Sequence, residues 1–166
     1  MKTLPRLFFL LCCALVFLSS CGGKDIDPHA FHGRLYPPTD KVTYIFQSSQ
    51  APTNCRIFAK LLVDMPAGIN GALMREQMDK EAKAHGADMV LIGQARRMND
   101  DEGFHFIYYG NGGEYRCNDQ WCGWKYGFDV WDKQGKFVSI GIDQWSNQAV
   151  SFPFPVMLQA AFIRCR

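Results

Sequence analysis

The sequence lacks an excess of either charge. Lys and Arg number 18 against 16 Asp and Glu in 166 residues, and no basic patch stands out. Nucleic acid is therefore set aside as a partner. It also lacks an apolar run of membrane-spanning length. The run Leu7–Leu18 holds twelve residues, where a spanning helix needs roughly 20. There is no Gly-x-Ser-x-Gly elbow and no glycine loop built to cradle phosphate. Cys117-x4-Cys122 is not the two-residue spacing of zinc ribbons or thioredoxin-like sites. His29 and His32 lie near Asp25 and Asp27 in a polar stretch that does not pre-orient ligands. His105 alternates with Phe104 and Phe106, and Asp100, Asp101 and Glu102 form an acidic turn. None of these makes a nucleophile–base pair, a carboxylate pair or a metal cluster. The sequence thus names no catalytic residue, no cofactor and no metal, and the expectation is a protein that is not an enzyme.

The N-terminus is what the sequence does have. Lys2 and Arg6 precede the apolar run, and Leu18-Ser19-Ser20-Cys21-Gly22 follows it. A basic start, a short apolar stretch and small residues before a cut site read as a signal peptide, residues 1–20. The "LSSC" ending resembles the lipobox of bacterial lipoproteins. The resemblance implies a diacylglycerol on the Cys21 thiol, cleavage before Cys21 and acylation of the new amine. Two or more acyl chains give stable anchoring where one does not, so the membrane becomes a partner through the N-terminal lipid. In Gram-negative lipoproteins Asp at the position of Gly22 favours inner-membrane retention, so the resemblance implies the outer membrane, facing the periplasm. Removing residues 1–20 takes Lys and Arg from 18 to 16, and the remaining chain is formally neutral. About 146 residues are left, enough for one domain with a core.

Cys12 and Cys13 leave with the signal. Cys55, Cys117, Cys122 and Cys165 remain, an even number in an oxidising compartment, which reads as two disulfides. Four cysteines allow three connectivities. The favoured pairing is Cys117 with Cys122, closing a local loop, and Cys55 with Cys165. Cys55 opens a predicted strand and Cys165 nearly ends the last one, and antiparallel neighbours bring such ends together.

Residues 21–40 read as the lipidated Cys and a Gly- and Pro-containing tether, and 41–166 as a single domain. Residues 41–46, 55–63 and 88–96 read as strands. Residues 70–85 form the clearest helix: Met74, Met78 and Ala82 recur every four residues with Leu73 widening the stripe. Asp64 or Asn70 can cap it, and Gly86 stands where a left-handed C-cap is wanted. Residues 98–155 read as a β-rich aromatic insertion with strands over "FHFIYY", "GWKYGFDVW" and "KFVSIGI". "PFPVMLQ" reads as a turn or short helix and "AAFIRC" as a terminal strand. The fold class is α+β: a small strand–helix–strand core, its antiparallel or mixed sheet packed on one main helix.

At Ala82, Gly86, Ala87 and Asp88, followed by Val90 and Ile92, and at Tyr36–Phe46, the chain resembles YbjQ-like and Rcs stress-sensor lipoprotein domains. The resemblance covers roughly residues 36–96. It implies a small α/β domain with a strand–helix–strand core. Residues 98–155 have no counterpart in it, so a signalling role is not carried over. Trp121, Trp124, Tyr126 and Trp131 in that insertion are candidates for an exposed aromatic binding face for a sugar ring, peptidoglycan or an envelope protein. The opposing reading places them in the core. The function expected is a membrane-anchored envelope lipoprotein acting as a structural or interaction module, with peptidoglycan binding or stress sensing as the alternative.

Overall fold

The computed structural model describes Asp27 and residues 30–109, 113–117 and 129–166. Its frame is the predicted strand–helix–strand unit. Strand β2 runs Cys55–Met65, helix α1 Gly71–Ala84 and strand β3 Met89–Arg97. The Asn70 side chain accepts from the Leu73 N–H and caps α1. Gly86 takes φ 75° just past its end, the left-handed turn that glycine adopts without a Cβ penalty. A Cβ there would also strike the Pro37 carbonyl at 2.5 Å.

Strands β1 (Thr43–Ile45), β4 (His105–Tyr109), β5 (Phe137–Val138) and β6 (Val156–Cys165) complete a six-stranded sheet ordered β1-β3-β6-β2-β4. β5 pairs with β3 at Ala95 and Arg96, beyond β1. The last strand, β6, lies between β2 and β3 and is antiparallel to both. The β2–α1–β3 unit is therefore split by the C-terminus of the chain. β1 runs parallel to β3, so the sheet is mixed and the class is α+β.

The helix lies on one face of this sheet. Met74, Met78 and Ala82 are buried as their spacing predicts, against Leu61, Val63, Val90, Leu158 and Phe162. Leu73 is instead exposed; at i+3 from Asn70 it falls outside the arc that faces the sheet. The other face carries two smaller apolar clusters. One holds Ile57, Leu91, Ala161, Ile163 and Cys55; the other holds Leu62, Met98, Trp131 and Met157.

Four expectations change. Residues 156–159 begin β6 rather than forming a turn or short helix, because Val156 and Leu158 fill the helix face while Met157 and Gln159 fill the other. Asp129–Asp132 form a one-turn helix, α2, within the stretch expected to be a strand. Only Phe137 and Val138 of "KFVSIGI" pair as strand. Residues 30–40, expected to be tether, instead pack on the domain. Phe31 sits edge-on to His85 at 4.5 Å and to Tyr108 at 5.1 Å. Tyr36 meets Phe58 and bonds to Glu114, and the Thr39 hydroxyl donates to the Ala87 carbonyl. Aromatic side chains in that stretch have apolar surface to bury, which composition alone obscured. Among the described residues no helix is long and apolar enough to cross a membrane.

Candidate functional site

Register decides where the cysteines go. Cys55 stands directly opposite Cys165, and the two are bonded with Cα atoms 3.9 Å apart. Their N–H groups are engaged elsewhere, Cys55 with the Pro52 carbonyl and Cys165 with the Asp88 carboxylate. They therefore form a pair without mutual backbone bonds, the closer type of antiparallel pair. Asp88 also takes the Arg164 guanidinium at 3.2 Å, so it locks the end of β6 in a structural role. Cys117 is disulfide-bonded as well, and packs into the same apolar cluster as Cys55 and Cys165. Cys122 lies outside the described residues.

The aromatic candidates divide. Trp131 is 0% exposed and sits among Leu62, Met98 and Met157; it is core, not a binding surface. The one-turn helix α2 turns it inward, where a strand would have alternated it with solvent. Trp121, Trp124, Tyr126 and the lipidation candidate Cys21 lie outside the described residues. Trp145 is 7% exposed and belongs to a different place, an open groove.

That groove, about 510 Å³, runs beside β1 at the edge of the sheet. Val42, Tyr44 and Phe46 form one wall, and Trp145, Ile142 and Ser146 the other, with Lys41 and Arg75 on the rim. The Tyr44 ring lies against Trp145 at 4.9 Å, and Phe46 meets the same indole at 6.4 Å. Ile142 is 72% exposed, an unusual position for a large aliphatic side chain beside an apolar hollow. The Tyr44 hydroxyl donates to Asp79; burial first, then that bond, raise its pKa far above the ordinary phenol value. Arg75 lies over the Tyr44 ring, donates to the Ser146 hydroxyl at 2.9 Å and pairs loosely with Asp79. Ser146 itself has φ 67°, a left-handed conformation that costs energy for a residue with a Cβ. Its N–H donates to the Gly71 carbonyl, which fixes the groove wall to the start of α1. Lys41–Phe46 were legible as a strand; Ile142–Ser146 carried no local signal that they would fold back beside it.

A second concentration of polar groups is buried on the face away from α1. Pairing places Asp64 between Met157 and His105, Lys60 between Ala161 and Tyr109, and Gln159 beside Leu62. On its other side, Gln159 meets a β-bulge at Gly93 and Gln94. A Cβ on Gly93 would sit 2.9 Å from that of Gln159, so glycine is needed for the close approach. Asp64 and Gln159 are 1% and 2% exposed, and one oxygen of each, with one of Gln94, has no hydrogen-bond partner. Burial, aided by Glu102 and opposed by His105, raises Asp64 to about 6. Burial lowers the Lys60 pKa. His105 is exposed and its ring meets the Glu102 carbonyl at 2.6 Å. Among the described residues no group of three or more His, Cys, Asp and Glu side chains is placed to hold a metal ion.

No protein-family model, no curated protein and no solved structure matches the chain. Its functional reading rests on its own residues.

Proposed function

We propose that this protein is a lipid-anchored lipoprotein of the bacterial envelope, held through Cys21, that acts without catalysis by presenting a groove to another envelope component. The observation that carries the interaction role is the groove beside β1. It combines aromatic walls, an exposed Ile142, two cations and a Ser146 with positive φ in its lining. Backbone strain held in a loop that lines a hollow is characteristic of functional surfaces. The anchor is supported by the run Leu7–Leu18 leading directly into Ser19-Ser20-Cys21. The outer membrane, facing the periplasm, is the location that Gly22 favours.

Two experiments test the two halves. Cys21→Ser abolishes palmitate labelling and moves the protein out of the membrane fraction or leaves it unprocessed; continued labelling refutes the anchor. A photo-crosslinking amino acid placed at Ile142 in intact cells traps one defined envelope component, and the same probe at exposed Lys80 on α1 does not. Equal yields from the two positions refute the interaction surface.

A further inference from the structure

The groove follows a strand edge, and among the described residues that edge is open. There β1 is bonded to β3 on one side only and ends the sheet. The Thr43 N–H donates to the Asp88 carbonyl at 2.9 Å, toward β3. Backbone groups alternate in direction along a strand, so the N–H and C=O of Tyr44 point the other way, to the open edge. Phe46, next in that alternation, has its N–H closed by the Gln50 side chain at 2.8 Å. The accessible edge is thus short and centred on Tyr44. Lys41–Tyr44 line the groove itself, so a chain pairing with this edge lies along the groove.

We propose that the groove takes an extended, acidic segment of a partner protein, which adds to the sheet as a strand beside β1. The proposal rests on the interaction role given to this groove and names the chemistry of what fills it. Three features select that occupant. First, the Tyr44 backbone groups reward an extended main chain, the basis of strand addition at exposed sheet edges. Second, a strand presents alternate side chains to one face, and the exposed Ile142 and half-buried Phe46 line the groove beside this edge. Third, Lys41 and Arg75 are both exposed and both cationic. Asp79, the acid that pairs with Arg75 among the described residues, also accepts from Tyr44 and contacts Lys83 at 3.9 Å, so it is shared three ways. Carboxylates at the ends of the segment complement this rim.

The test uses full-length lipidated protein in detergent and fluorescein-labelled pentapeptides followed by anisotropy. The probes are Glu-Val-Thr-Val-Glu, its Lys-Val-Thr-Val-Lys counterpart, and the first peptide N-methylated at its central amides. The acidic peptide binds, and the other two bind at least about tenfold more weakly. Lys41→Glu combined with Arg75→Glu reverses the preference between the acidic and basic peptides. Because N-methylation alters only the probe, this arm does not depend on a variant folding. Equal binding of all three peptides, or none at millimolar concentration, overturns the proposal. Self-association that Ile142→Asp abolishes assigns the edge to a second copy and also overturns it. If the Ile142 crosslink forms in cells while the peptides fail, the interaction surface stands and strand addition is lost.

Discussion

The two faces of the sheet are built by different rules. The face under α1 is one continuous apolar cluster running from Val42 through Phe162 to Phe152. The other is interrupted: beyond an apolar patch around Ile57 and Ile163 comes Lys60, and then Gln159 and Asp64 are set among Leu62 and Met157 of the patch around Trp131. On the first face stability comes from packing. On the second, a disulfide holds one end, and buried polar groups oppose folding wherever they lack partners.

The largest effects come from the anchors of each face. Replacing Cys55 and Cys165 together by Ala releases a bond spanning 110 residues, with an expected loss of about 4–5 kcal/mol from the freed unfolded chain. Phe162→Ala on the helix face costs about 4 kcal/mol through lost burial and the cavity left behind. Denaturant unfolding of each variant measures both. If the disulfide variant loses under 1 kcal/mol, packing governs both faces and the contrast fails.

Asp64 tests the buried polar groups directly. Its native pKa of about 6 stands above the unfolded value of 3.8. The folded state therefore holds the proton more tightly. Its stabilising contribution is complete below pH 3.8 and is lost as pH rises through about 6. Asp64→Asn removes the ionisation while keeping the shape. At pH 7.5 the variant is more stable than the parent by about 2–3 kcal/mol. At pH 4 the two converge. Urea midpoints across that range check it; a destabilised variant at pH 7.5 would mean the ionised carboxylate has a partner.

Asn70→Ala has the smallest expected effect, about 1 kcal/mol, since it removes one side-chain cap from α1. It sharpens the comparison by showing what a purely local contact is worth beside the tertiary ones. Hydrogen exchange in the first turn of α1 locates the loss; exchange unchanged there would show the cap is replaced by another acceptor.

How much was legible follows the same division. The α1 stripe, its Gly86 end and strands β2 and β3 were readable because each is a periodic signal within a single element. Cys55 and Cys165 were readable because both mark strand ends. The start of β6 was not, because "PFP" signals a break while the burial that makes 156–159 a strand comes from two distant neighbours. Nor was the groove. Lys41–Phe46 and Ile142–Ser146 are separated in sequence by β2, α1, β3 and β4, and neither carries a motif. Trp131 misled as a binding candidate because a one-turn helix turns its ring inward, a choice made by the Leu62–Met157 surface that receives it.

The sequence by itself determined the α+β class and the helix between two strands, and it raised the expectation of a signal and a lipidated Cys21. These depend on local pattern: the spacing of apolar residues, a glycine at a helix end, a short run before a cysteine. Only the tertiary structure decided that β6 enters between β2 and β3, that Asp64 and Gln159 are buried without full hydrogen bonding, and that among the described residues β1 is left with an open edge beside Trp145. Those features depend on which distant segments share a surface, and burial and strand pairing are properties of the assembled sheet rather than of any one stretch of chain.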